Sequence, residues 1–354
     1  MSERSEPLDV EGDVEEVYER FYEEEMTDGL PIIPPSRDRV DRMLGATDRE
    51  PTESLGEVPP KYGAATVEKV AVNAVMAGCK PAYLPVVIAA VEAMLREEFN
   101  LYGINTTTHP VAPLLVVNGP IVEELNLNYG YNVFGPGWRA NATIGRALRL
   151  VLLNVGGGTP GKMDRATHGQ PGKFSFCIAE NERKTPWAPL HVERGFDEST
   201  STVTVFGTEG PHEVNDHISQ DGGGVLSVMA DVLATVGNNN AIGTRGELVC
   251  VFSPEHAETI ANDGFSREDV RWFLYDYARN RVGKIRDNGP EGLYDWDTID
   301  IWEKRFHTPD GDARLPLVKR PEDITVLVAG GAGKHSMVLH SFGETTSVTA
   351  PIER

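Results

Sequence analysis

The sequence predicts an α/β protein: two repeated α/β units packed around a pseudo-twofold cleft, with irregular insertions. Three observations carry this. Short apolar runs of strand length, Pro113–Val117, Glu247–Phe252 and Ile324–Ala329, alternate with longer segments of helical period. The order helix, strand, proline turn, helix, helix occurs over 55–155 and again over 203–282. A chain of 354 residues that is 40% hydrophobic can fill two cores without a disulfide or metal staple.

Residues 1–54 read as an acidic leader and a proline-rich arm. Val14, Val17, Phe21 and Tyr22 recur at helical spacing, so a mostly exposed helix is expected there. Gly29-Leu-Pro-Ile-Ile-Pro-Pro35 cannot be helical, because proline removes donors and forces its predecessor to extend. Ser36 is placed to cap a short helix to Leu44, with Asp38 in its first turn. In the first repeat Val86–Leu95 reads as a buried helix, Pro113–Val117 as a strand, Asn118-Gly-Pro120 as a helix opening, and Arg139–Asn154 as a long helix. The second repeat matches it with Val225–Val236, Glu247–Phe252, Ser253-Pro-Glu255 and Arg267–Asn280. Pro120 and Pro254 are expected at the first helical position that proline prefers. Between the repeats, 156–202 is a Gly-, Pro- and polar-rich insert, too long for a connector and so a candidate for function. Residues 283–354 form an aromatic-rich loop, with Trp296, Trp302 and Phe306 expected to pack against the body, followed by a strand and a Gly-rich turn.

Charge is the strongest compositional signal. Asp+Glu 54 against Lys+Arg 33 gives a net −21, and lysine is scarce among the basic residues. Such a shell is expected of a salt-adapted, halophilic protein, whose self-repulsion molar salt screens within about 3 Å. It argues against nucleic acid, whose binding needs phosphates neutralised, and against anionic membranes. No run approaches the roughly 18 apolar residues of a membrane span. Cys79, Cys177 and Cys250 are too few and too scattered for a disulfide framework, and Met1–Arg20 lacks a signal-peptide layout, so a reducing cytoplasm is expected.

Candidate chemistry lies in four places. The turn Phe134-Gly-Pro-Gly-Trp-Arg139 feeds a helix whose first turns hold Arg139, Asn141 and Thr143. A helix N-terminus attracts anions and Arg139 can clamp one, or it can sit on a surface carboxylate. Gly330-Gly-Ala-Gly-Lys-His-Ser336 follows a strand but fails the phosphate-loop pattern, because Val328 stands at the first glycine and His335 at the Ser/Thr. Lys334, His335 and Ser336 still stand at a sheet's carboxyl end, where α/β proteins bind ligands. His109 and His212 are candidate general acids or bases, with loop hydrogen bonding as the plainer role. His212 and His217 bracket Asp216 at a spacing unlike that of metalloproteases, so a metal is not favoured. Cys79, beside Lys80 at a helix boundary, is the one cysteine expected to have a lowered pKa, and core burial is its alternative. Neither a dinucleotide fingerprint, a nucleophile elbow nor a Cys-x-x-Cys pair occurs, so the cofactor stays unknown.

Asp28-Gly-Leu-Pro-Ile-Ile-Pro-Pro35, Val72-Asn-Ala-Val-Met-Ala-Gly-Cys79, Asn118-Gly-Pro-Ile121, Phe134–Thr143 and Ala329–Ser336 together resemble a prokaryotic family. Its members are encoded near, or fused to, a small thiol or selenol protein with a Cys/Sec-Gly-Ser-Cys motif. The chain resembles a haloarchaeal member from Asp28 onward but has no Cys-Gly-Ser-Cys of its own. The resemblance implies a thiol or selenol partner protein and redox or reductive chemistry, and it transfers no established activity.

The reading is an enzyme for a small anionic or polar molecule, in a cleft lined by His109, Asn118, Arg139, Asn141, His212, Lys334 and His335, and expected to be a homo-oligomer. Arg139 and Lys334 would hold the substrate, and a histidine would move the proton. The alternative is a non-catalytic ligand-binding or scaffold subunit.

Overall fold

In the computed structural model, residues 12–242, 245–286 and 310–353 are described. The chain divides into two compact units, one of 1–180, 189–207 and 347–354, the other of 181–188 and 208–346. Trp296, Trp302 and Phe306 lie outside the described residues.

The chain begins with α1 (Val14–Glu23), where Asp13 and Glu16 form a reciprocal capping box, and α2 (Arg37–Leu44). The hairpin β1 (Ser54–Val58) and β2 (Gly63–Thr66) leads into α3 (Val67–Ala77), capped by the Thr66 side chain and ended by Gly78 at φ +90°. Next come α4 (Leu84–Met94), α5 (Leu101–Thr106), β3 (Ala112–Asn118), α6 (Ile121–Glu124) and α7 (Arg139–Asn154). They are followed by β4 (Cys177–Ala179), α8 (Leu190–Glu193), β5 (Thr202–Thr208), β6 (His212–Asn215), α9 (Gly222–Leu233) and α10 (Asn239–Ile242). The remainder is β7 (Leu248–Phe252), α11 (Pro254–Asn262), α12 (Arg267–Tyr277), β8 (Arg279–Arg281) and α13 (Val282–Arg286). Four strands close the order: β9 (Arg314–Pro316), β10 (Ile324–Val328), β11 (His335–Leu339) and β12 (Val348–Pro351).

Each unit holds a four-stranded sheet, ordered β12-β5-β3-β4 in the first and β10-β7-β11-β6 in the second. Each contains a parallel pair. Leu115 faces Cys177 where β3 meets β4, and Leu248 faces Ile324 where β7 meets β10. The first connection holds α6 and α7; the second holds α11, α12 and α13, together with β8 and β9. The fourth strand in each case comes from a distant part of the chain. β12 follows β11 in sequence yet pairs antiparallel with β5, and β6 follows β5 yet pairs antiparallel with β11.

Packing explains the apolar runs. In α4 every residue except Glu92 is buried, the mark of a helix covered on all sides. In the second unit Leu248, Cys250 and Phe252 of β7 cluster with Ile324, Val326 and Val328 of β10 and with Leu226, Met229 and Leu233 of α9. The alternate residues Val249, Val251, Thr325 and Leu327 are buried as well, so these strands are covered on both faces rather than on one.

The α/β class holds, and α7 has the predicted bounds. Several elements differ. Ser36 stands at the N-cap of α2, but its side chain makes no cap bond. Pro120 is the N-cap of a four-residue helix rather than its first helical residue, whereas Pro254 does occupy the first position. α9 starts three residues before Val225, because the Asp221 carboxylate accepts from the Gly224 amide at 2.7 Å and the three glycines are helical. α12 stops at Tyr277, and Asn280 lies in β8. The 156–202 insert is more than loop, since it supplies β4, the parallel partner of β3.

Candidate functional site

In the first unit a cleft of about 590 Å³ is lined by Asp28, Arg149, Asp164, His168, Gln170 and Lys173 among others. Its chemistry starts with α7. Arg146 and Arg149, one turn apart, stand toward the same side of that helix. Arg146 grips Asp28 bidentately, with Nε to Oδ2 and Nη2 to Oδ1 both 2.8 Å, and also donates to the carbonyls of Leu30 and Pro31. The Gly-Leu-Pro-Ile-Ile-Pro-Pro arm is thereby tied to α7 beside the cleft.

Asp164 closes a turn in which Lys162, Met163 and Asp164 all donate to the Thr159 carbonyl. Its carboxylate accepts from Lys173 Nζ at 2.9 and 2.8 Å and lies 3.5 Å from Arg149 Nη2. Gln170 sets the turn carrying Lys173, its Oε1 accepting from the Gly172 amide at 2.7 Å. The Gln170 Nε2 donor is buried with no hydrogen-bond partner. All three charged side chains are largely enclosed, at 12% exposure for Arg149, 7% for Asp164 and 16% for Lys173. Burial holds the Arg149 guanidinium below its ordinary value against the opposing pull of Asp164. It likewise lowers Lys173, and Asp164 only partly offsets this. Burial thus outweighs compensation at both cations: they share direct bonds to one carboxylate, Asp164, while Asp28 acts on Arg149 through space, and a further anion would relieve this state.

In the second unit, polar groups gather where β6 and β7 end and β11 begins. The buried His256, on α11, has Nδ1 2.8 Å from Ser336 Oγ and Nε2 3.0 Å from the Asp216 carbonyl. Since a carbonyl only accepts, Nε2 carries the proton and the Ser336 hydroxyl donates to Nδ1. Ser336 Oγ also accepts from the Ser253 amide at 3.1 Å. Asp216 Oδ1 accepts from Ile218 and Ser219. On the surface beside this, His335 Nδ1 is 2.7 Å from Glu213 Oε1, and His335 Nε2 is 3.0 Å from His217 Nε2.

The residues predicted from sequence fall into both units. Lys334, His335, Ser336 and His212 lie on or beside the β6–β11 ladder of the second, where His212 is exposed and opposite Val338. His109, Cys79, Asn118, Arg139, Asn141 and Thr143 belong to the first. Arg139 donates through Nε and Nη2 to the Gly78 carbonyl at 3.0 and 2.8 Å, so its guanidinium ends α3. Thr143 Oγ1 bonds back to the Arg139 carbonyl, and Asn141 ties the Asn128 amide and carbonyl to Cys177 O. Asn118 is buried and donates to Glu180 Oε2 at 2.7 Å, an oxygen that also accepts from the Leu190 amide. His109 is half-buried in its loop, its amide bonded to Thr107 Oγ1.

Cys79 corrects an expectation. Its thiol is buried and donates to the Thr143 carbonyl at 3.3 Å, and burial pushes it up to about 12 despite Arg139 and Arg146 nearby. Desolvation outweighs the cations, so Cys79 is not an activated thiol. Sequence reasoning missed the cleft residues. The available signal was Arg149 itself, which interrupts the apolar stretch Ala147–Val155: an arginine on a buried helix face requires a partner. The 156–202 insert contributes Asp164, His168, Gln170 and Lys173 to the cleft.

Among the described residues no helix is long and apolar enough to cross a membrane. No family model, curated protein or solved structure matches the chain.

Proposed function

We propose that the protein is an enzyme acting on a small carboxylate- or phosphate-bearing molecule bound in the first unit's cleft. The observation that carries this is the sharing of one carboxylate, Asp164, by two enclosed cations, Arg149 and Lys173. In a chain of net charge −21, a cleft where two cations, Arg149 and Lys173, fully match two carboxylates, Asp28 and Asp164, is out of keeping with the surroundings. Gln170 Nε2 adds a buried donor for the same ligand. His168, exposed at the cleft, is the group placed to move a proton. Cys79, Cys177 and Cys250 are all buried, so the thiol-linked chemistry implied by the resemblance would draw its thiol or selenol from a partner protein. The matched order of α4, α5, β3, α6, α7 and α9, α10, β7, α11, α12 supports reading the two units as a duplication.

Calorimetric titration with inorganic phosphate and a set of small dicarboxylates tests the binding. At least one is expected to bind, with affinity falling more than 10-fold in Lys173→Met and staying level in Arg139→Ala. Affinity should also fall as pH rises through the lowered value of Lys173, since only the ammonium attracts an anion. Equal binding by wild type and Lys173→Met would remove the cleft as the site. A ligand that binds without turnover in the presence of a thiol reductant would leave the protein a binding subunit.

A further inference from the structure

We infer that the second unit binds a divalent transition-metal ion between His217 and His335, with Glu213 as the outer partner of His335. This site is separate in composition from the anion cleft, since Glu213, His217 and His335 all belong to the second unit.

The inference begins with tautomers. Glu213 Oε1 lies 2.7 Å from His335 Nδ1, and a carboxylate accepts, so Nδ1 carries the proton and Nε2 presents its lone pair. That is the carboxylate–histidine arrangement that orients metal-ligating imidazoles. The lone pair faces His217 Nε2 at 3.0 Å.

The ring positions bear on which ion the pair would suit. Two nitrogens each about 2.1 Å from one metal ion would be about 3.0 Å apart at a right angle, with ring centroids about 4.6 Å apart, and about 3.4 Å apart at the tetrahedral angle of zinc, with centroids about 5.3 Å apart. Two imidazoles joined head-on by a straight N–H···N bond of the same length would have centroids about 5.3 Å apart. The observed centroids are 4.8 Å apart, with the planes at 71°. The rings are therefore not collinear, and their nitrogens lie close to the spacing of adjacent ligands of an ion with right-angled sites, so both could reach one ion with little movement.

The backbone fixes this geometry. His335 opens β11 and pairs with Asn215 of β6, while Glu213 lies opposite Met337, so Glu213 and His335 are diagonal neighbours on one antiparallel ladder. His217 follows Asp216, whose Oδ1 accepts from the Ile218 and Ser219 amides and so holds the turn. Glu213 and Asp216 favour a cation here, and the adjacent Lys334 opposes it. Both histidines are exposed, so an ion has access from solvent.

Among the described residues no group of three or more metal-binding side chains converges. The protein thus supplies two nitrogens, and water or an incoming molecule would complete the shell. Imidazole pairs with open positions suit Zn²⁺, Cu²⁺ or Ni²⁺ rather than Mg²⁺ or Ca²⁺.

The test is a titration of the full chain, first stripped with a chelator, with Zn²⁺ alone near neutral pH. One ion per chain is expected. His217→Ala and His335→Ala should each weaken it at least 10-fold, and Glu213→Gln about 10-fold, the usual cost of losing an outer partner. Co²⁺ in place of Zn²⁺ should give a visible ligand-field spectrum that His335→Ala abolishes and His212→Ala, on the neighbouring strand β6, leaves unchanged. Lys173→Met should leave Zn²⁺ binding intact, so loss of the anion reading would not touch this one. Unchanged Zn²⁺ affinity in both histidine variants, or an equal loss in His212→Ala, would overturn the site.

Discussion

At the scale of single residues, burial decides more than neighbouring charge. Cys79 has two arginines acting on it and is still pushed up to about 12. His256 shows the same rule with a consequence for acid stability. Burial lowers its pKa below 6.5, the Asp216 carbonyl and charge only partly opposing. The unfolded chain therefore takes up that proton first as the pH falls. The stabilisation from neutral His256 is fully present above pH 6.5 and is lost as pH drops through 6.5 toward the folded value. His256→Gln should lower stability by about 1–3 kcal/mol at neutral pH, because the bonds to Ser336 and Asp216 are disturbed. The same variant should flatten the decline in melting temperature between pH 7 and 5. Melts of both proteins across that range check it, and parallel curves would mean that His256 takes no part. None of this is legible in sequence, where a histidine's enclosure cannot be read from its neighbours.

At the scale of elements, legibility tracked how local the determining forces are. The bounds of α7 follow from the Gly-Pro-Gly turn before Arg139 and an apolar stripe within one segment. β4 could not be found that way. Its three residues, Cys177–Ala179, become a strand only because β3, some 60 residues away, offers a parallel edge. The seam between α7 and the segment before β4 is tight at Gly145. A Cβ there would lie 2.6 Å from both the Phe176 amide nitrogen and Ser175 Oγ. Replacing a helical glycine with alanine ordinarily stabilises by about 1 kcal/mol. Gly145→Ala should instead destabilise by about 1–3 kcal/mol, the cost of overpacking against backbone. Chemical denaturation measures the sign, and a gain in stability would show that the seam yields.

At the scale of the whole molecule, the excess of acid over base was open to reading from composition alone, while the two cationic side chains inside the cleft were hidden within it. With −21 net charge, moving from molar KCl to dilute buffer should lower the melting temperature, as screening of self-repulsion is withdrawn. Melts at stepped KCl concentrations would show this, and a melting temperature independent of salt would remove the salt-adapted reading.

The exchange of edge strands between the sheets also sets a timetable. A ribosome delivers the first unit's α3, α4, β3 and β5 early, yet β12, which completes that sheet, emerges only after the whole second unit has been made. Until then β5 presents an open edge, and β6, next off the ribosome, belongs elsewhere. Domains usually fold in the order of their synthesis. Here the first unit begun is the last finished, so a nascent chain halted before Ser347 should hold a completed second sheet and an unfinished first one.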